Sequence, residues 1–208
     1  MGRSRTRAKS DSVPRERDPG FVNSGQRHQV YWTGSGSCLR MQRQFRGRVW
    51  TFGDDISTDH IIAGKYLGTT DSGMFATHAF EAVDPAWAKS VQVGDLIVAG
   101  DNFGCGSSRE QAPIALKTLG VSAILANSFA RIFFRNSINL GLPVLECPGL
   151  RRKVNAGDVI EVDMANGEVH LPDGGVDRFN ALPPNVLEIL EAGGLVAKIR
   201  AELAPHRT

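Results

Sequence analysis

An α/β fold with a parallel-sheet core and a β-rich flank is what the order of patterns along this 208-residue chain predicts. Short apolar runs at residues 95–99, 121–126 and 143–146 alternate with helical stretches at 109–119 and 128–139, a spacing that pairs strands in parallel through right-handed crossovers. After Gly149 the pattern changes to a period of two and includes an Asn166-Gly167 hairpin turn. The composition is that of an ordinary globular protein, 41% apolar with 24 Lys+Arg against 22 Asp+Glu, and it suits one domain of usual size plus an extension.

The elements follow in order. Residues 1–40 hold eight Lys/Arg against three acids, a balance of +5 that leaves the remainder at −3. This stretch is rich in Ser and Gly and shows no apolar period, so it cannot bury enough surface to offset its conformational entropy. A disordered basic extension over residues 1–43 is expected, with the folded domain at 44–208. A nucleic-acid-binding tail, an organellar presequence and a functionless extension with Met41 as the true start all stay open for it.

Residues 45–52 alternate loosely and favour a first strand. The acid-rich residues 53–60 read as a polar turn. Residues 63–90 are mixed, with Met74, Phe75, Phe80 and Val83 suggesting a short helix that ends before Asp84-Pro85. The crossover core follows, then a hairpin at 157–171, and residues 186–199 carry helical spacing interrupted by Gly193-Gly194. A closing C-terminal helix is expected there.

Several function classes drop out. No apolar run approaches the roughly 18–20 residues that span a bilayer, and no apolar core follows the basic start as a secretory signal needs. Cys38, Cys105 and Cys147 are widely spaced and the five histidines show no ligand spacing. A disulfide scaffold and a self-contained zinc or iron–sulfur site are therefore disfavoured, and reduced thiols in a cytoplasmic compartment are expected.

The loop Gly104-Cys105-Gly106-Ser107-Ser108-Arg109-Glu110 carries the strongest chemical signal. It leaves the C-terminal end of an apolar strand and opens a helix, where unpaired N–H groups and the positive end of the helix dipole favour an anion. No Gly-Lys-Ser/Thr makes a P-loop, and Arg109 stands where a dinucleotide fingerprint needs its third glycine. A small carboxylate held by Arg109 and two hydroxyls remains. The competing reading is a capped helix, since Ser107 with Glu110 and Ser108 with Gln111 both fit a capping box, although both cannot serve at once. Pro113 kinks a helix that begins at Arg109, which allows a later start. Residues 53–62 also read as a plain Asx-rich turn, and residues 64–71 as either a specificity lid or a surface connection.

Taken together, Thr58-Asp59-His60-Ile61, then Tyr66-Leu67 with Thr69-Thr70, then the long run from Asp101 through Ser107-Ser108-Arg109 to Pro113, closely resemble the small subunit of 3-isopropylmalate dehydratase. That family corresponds to the swivelling fourth domain of aconitases, and the resemblance covers nearly everything from Phe45 onward. It implies an aconitase-type swivelling β/β/α domain. It also implies a hydro-lyase that removes water from a hydroxy di- or tricarboxylic acid and adds it back, here interconverting 2- and 3-isopropylmalate in leucine biosynthesis.

By position in the motif, Ser107 would take the proton from carbon, and Ser108 and Arg109 would hold a substrate carboxylate. Asp59 and His60 would belong to the catalytic segment facing the serines, with Thr58 beside the substrate. Tyr66, Leu67, Gly68 and Thr69 would recognise the group that distinguishes substrates. The chain would bind no cofactor itself; a [4Fe–4S] cluster would sit on an iron–sulfur large subunit, and the active unit would be a heterodimer or larger assembly.

The chemistry agrees with these roles. Removing a proton beside a carboxylate builds negative charge that fixed donors must stabilise. A serine base works only where surrounding groups favour its alkoxide, and the Gly-rich turn is expected to aim N–H groups at the Ser107 oxygen. Homoaconitate enzymes carry an Arg after Tyr-Leu, where this chain has Gly68, so a branched apolar tail is favoured. Homoaconitate-, dimethylmalate- and citraconate-type substrates remain alternatives. So do non-catalytic carboxylate-binding or RNA-binding roles, although the net acidity outside the tail and the lack of aromatic-basic interleaving count against nucleic acid.

Overall fold

The structure, a computed structural model, describes residues 43–204. The expected basic extension therefore lies outside the described residues, apart from Arg43. Seven strands form one sheet in the order β4-β3-β2-β1-β5-β6-β7. The strands β1 (Gln44–Thr51), β2 (Leu96–Ala99), β3 (Ala123–Ala126) and β4 (Val144–Glu146) run parallel. Antiparallel to β1 comes β5 (Val159–Asp163), followed by the meander of β6 (Glu168–His170) and β7 (Val176–Arg178). The expected parallel core and β-rich flank are both present.

Burial explains the two kinds of sequence pattern. Every residue of β2 and β3 is buried, which is why they read as unbroken apolar runs. In β5, Ile160 and Val162 point into the core while Val159 and Glu161 face water, which gives the alternation. At the start of β2 the buried Asp95 accepts hydrogen bonds from the Trp50 indole at 2.7 Å, Arg48 at 2.8 Å and the Gln92 amide at 2.9 Å, so its burial is compensated. Trp50, Phe52, Phe80 and Trp87 pack as an aromatic cluster behind β1, with Phe52 stacked on Phe80 at 4.3 Å.

Seven α-helices, α1 (Thr58–Ile61), α2 (Ser72–Thr77), α3 (Trp87–Ser90), α4 (Gln111–Leu119), α5 (Arg131–Leu140), α6 (Pro184–Glu191) and α7 (Leu195–Leu203), and two 3-10 turns, Gly64–Tyr66 and Leu150–Arg152, complete the described chain. None is long and apolar enough to cross a membrane. Four local expectations change. The crossover helix starts at Gln111 and not Arg109, because a start at 109 needs an N–H from Pro113 that proline lacks, whereas a start at 111 puts Pro113 in the first turn. The next helix begins at Arg131 and not Ser128, because Ser128 and Ala130 bond to the neighbouring Phe103 backbone. Residues 57–61, expected as turn, close into α1. Finally, β7 has no counterpart in the sequence pattern, since Val176-Asp177-Arg178 is a short edge strand with little apolar content.

Candidate active site

Beyond the strand ends, the loops following β1, β2 and β3 continue to pair with one another. The Gly104 amide donates to Ile56 O at 2.7 Å and the Thr58 amide to Cys105 O at 2.8 Å, and on the other side the Phe103 amide donates to Ser128 O at 3.0 Å. Side chains brace the same loops. Asp54 accepts from the Asp101 amide at 2.8 Å, and Asn102 donates its side-chain amide to Asp55 at 2.8 Å. Asp55 and Asn102 both have φ near +55°, a conformation that short Asx side chains tolerate. The acids at 54 and 55 thus hold the loops together, as an Asx-rich turn does.

Gly104 is fixed by two independent demands. Its φ is +79°, and a Cβ there would lie 2.1 Å from Phe133 of α5. Gly104→Ala should destabilise the folded chain by roughly 2–4 kcal/mol through left-handed strain and overpacking. Chemical denaturation checks this; a loss of under about 1 kcal/mol would mean that Phe133 yields freely.

The residues singled out from sequence fall into three groups. Ser107 and Ser108 are exposed on the loop before α4, and neither caps that helix, whose N-cap Glu110 makes no side-chain bond. Neither hydroxyl has a hydrogen-bond partner among the described residues. The expected cradle of N–H groups on the Ser107 oxygen is therefore not formed by this chain alone. The Ser107 carbonyl does take part, accepting from the Arg109 amide at 2.8 Å and from the Thr58 hydroxyl at 3.1 Å.

Next to the serines, the Arg109 guanidinium pairs through Nη1 with Asp59 and donates to Ile62 O at 3.3 Å. Its Nε and Nη2 keep no partner among the described residues, so donors remain for an incoming carboxylate. Asp59 and His60 lie on α1. Ser57 caps that helix by accepting from the His60 amide at 3.2 Å, while the Ser57 amide donates to His60 Nδ1 at 3.1 Å. A neutral imidazole held in this way carries its proton on Nε2. Thr58, expected beside substrate, is 1% exposed and uses its hydroxyl to brace the serine loop.

The third group is the loop with Tyr66, Leu67, Gly68 and Thr69. Its first residue, Gly64, lies under the Arg109 guanidinium, which would sit 3.7 Å from a Cβ at that position. Residues Gly64–Tyr66 form a 3-10 turn. Gly68 faces open space, where an added Cβ would meet nothing within 4 Å, and Thr69 accepts from the Asp71 amide at 3.1 Å. Sequence reasoning missed His78 and Glu81, which hold Tyr66: the ring stacks on His78 at 4.1 Å and the hydroxyl donates to Glu81. Their separation of 12 and 15 residues from Tyr66 follows no local period, so only the fold brings them together.

Cys105 and Cys147, the thiols among the described residues, are both free and belong to no metal-ligand group there. Burial, and then Asp55, pushes the Cys105 thiol up, and burial pushes Cys147 up to about 12, with its Sγ 3.4 Å from Arg178 O. Both shifts disfavour the thiolate, so neither thiol is an activated nucleophile. Among the described residues no group of three or more His, Cys, Asp and Glu is placed to hold a metal ion. A cavity of about 420 Å³ lies between α5 and the segment before α6, lined by Phe129, Arg131, Phe134, Arg135, Glu146 and Leu182 among others, and none of the predicted site residues lines it. The serine loop instead stands on an open surface.

Known proteins are similar to this chain in sequence and fold. The family model described as the aconitase C-terminal domain matches residues 57–149. A 3-isopropylmalate dehydratase small subunit from Methanopyrus kandleri is 52% identical over 78% of this chain and 96% of its own length. One from Wolinella succinogenes is 50% identical over 76% and 95%. An isopropylmalate/citramalate isomerase small subunit from Methanocaldococcus jannaschii is 47% identical over 79% and 98%. The crystal structure of a 3-isopropylmalate dehydratase from M. jannaschii superposes with a TM-score of 0.73 at 43% identity, covering 76% of this chain and 95% of that one.

Proposed function

The chain belongs to the family of 3-isopropylmalate dehydratase small subunits, and from that premise we propose that it supplies the proton-transfer and carboxylate-binding half of a hydro-lyase interconverting 2- and 3-isopropylmalate. The observation that carries the reading is the exposed pair of unpartnered hydroxyls, Ser107 and Ser108, beside a guanidinium with free donors. Ser107 is the base that takes the proton from the carbon next to a carboxylate, and Ser108 and Arg109 hold that carboxylate as charge builds on it. Asp59 fixes the guanidinium, and His60 presents its Nε2 proton from a capped, rigid turn. Tyr66, Leu67, Gly68 and Thr69 form the wall against the substituent that distinguishes substrates, and Thr58 supports the serines from behind.

An open half-site needs a second surface, and a large subunit provides it in this reading. Departure of hydroxide calls for a Lewis acid. The resemblance to the dehydratase small subunits implies a [4Fe–4S] cluster for this step, and in this reading the large subunit carries it. The working enzyme is then a two-subunit assembly in the cytoplasm, with residues 44–208 as its catalytic small domain and residues 1–43 as an extension.

The test is anaerobic reconstitution of the full chain with an iron–sulfur large subunit, followed by assay of 2-isopropylmalate conversion. Activity is expected only in the mixture. An assembly with an intact cluster and no turnover of isopropylmalate would overturn the reading, as would turnover by the chain alone. A second reading, hydration of citraconate to give a methylated malate, is favoured by the open space at Gly68 and by the isopropylmalate/citramalate relative. The same assay run with citramalate decides between one substrate and two.

A further inference from the structure

A carboxylate outside the serine loop and outside the motifs read from sequence is the meeting point of three side chains. Glu81 accepts from the Tyr66 hydroxyl, lies 3.4 Å from Lys65 Nζ, and lies 3.4 Å from His78 Nδ1. The Tyr66 ring is stacked on the His78 imidazole at 4.1 Å with 15° between planes, and Lys65 Nζ lies 4.7 Å from the ring centroid. Tyr66 thus has an imidazole on a face, an ammonium against the ring and a carboxylate on its hydroxyl. The hydroxyl is already engaged, so it is not available as a donor to substrate. The Tyr66 hydrogen bond, followed by Lys65, holds the Glu81 carboxyl below its ordinary range, which keeps it charged and accepting.

The position of this cluster gives it consequence. The loop that starts at Gly64 leans on Arg109 at one end, and Tyr66 is two residues further along. Past Tyr66, Gly68 and Thr70 are exposed, and Thr69 is tied only to the Asp71 amide. Leu67 packs against the core and its amide donates to Gly64 O at 3.2 Å, so the place of Gly68 and Thr69 relative to the guanidinium is set by where Tyr66 and Leu67 are held. A hydrogen bond to a charged acceptor and a stacked pair are each strong enough to bias such a loop toward one position.

We propose that Glu81 and His78 are positioning residues that clamp Tyr66 and so set the distance between the substrate-discriminating loop and the Arg109 carboxylate site. This rests on the functional reading given above. The clamp acts on binding and not on the proton transfer at Ser107, so it predicts a separation of kinetic constants that a general loss of folding does not produce.

The test uses the reconstituted two-subunit enzyme with 2-isopropylmalate. Glu81→Ala and Tyr66→Phe should each raise KM roughly tenfold with kcat within about twofold of wild type. Both variants cut the Tyr66–Glu81 bond, and Glu81→Ala also removes the contacts to Lys65 and His78, so the double variant should show about the KM of Glu81→Ala and not the product of the two. His78→Leu, which removes the stacked imidazole while leaving Glu81 and Tyr66 in place, gives a third variant should Glu81→Ala fail to fold, and it too should raise KM selectively. Unchanged KM in the singles, or multiplicative effects in the double, would overturn the clamp. Failure of the functional reading looks different, since wild-type assembly would then fail to turn over isopropylmalate at all.

Discussion

Ser107→Ala in the reconstituted enzyme is expected to lower kcat by about 10²–10⁴-fold with KM within about threefold of wild type, the signature of a lost proton-transfer group. The side chain is exposed and has no partner within the described residues, so its removal leaves no buried group unsatisfied and should not disturb the fold. The backbone carbonyl of residue 107, which anchors the loop to Thr58 and Arg109, survives the substitution. Steady-state kinetics beside a thermal melt checks both halves. Retention of more than about a tenth of the wild-type kcat would remove Ser107 from the role of base.

The second large effect is expected at Arg109. Arg109→Lys keeps the charge but replaces a planar fork by a point charge, and a single ammonium cannot satisfy Asp59 and a substrate carboxylate in the same geometry. The loss in kcat/KM should be about 10²–10³-fold, comparable to removing a donor aimed at developing negative charge. Affinity for an unreactive dicarboxylate analogue should fall in parallel. Because the Asp59 partner is 58% exposed, the ion pair contributes little to stability and the melting temperature should barely move. Normal kinetics in this variant would show that charge alone suffices and that the fork geometry is idle.

How far the sequence discloses this molecule depends on how local each determinant is. The buried strands β2 and β3 are legible because both of their faces are covered, which writes a continuous apolar run into the chain. The serine loop draws the reading of an anion site because strand end, glycines and helix start are neighbours in sequence. Where position depends on distant contacts, legibility ends. Ser107 and Ser108 match capping boxes, yet the actual box forms at Ser57, with a histidine at the third position in place of Glu or Gln. Thr58 reads from its motif as a contact to substrate, while its burial under the serine loop depends on the pairing of two loops 49 residues apart. Glu81 escapes notice because nothing near it in the chain marks it as a partner of Tyr66.

The side-by-side pairing of the loops after β1, β2 and β3 has a thermodynamic consequence. Segments that carry chemistry usually wander among many conformers and surrender that freedom when a ligand arrives. Here the amides of Asp55, Gly104 and Thr58 are already engaged in the same kind of ladder as the sheet itself. The configurational freedom is given up during folding, long before any encounter. Docking of a large subunit then meets a wall preformed on this side, with less of its free energy spent on ordering these loops.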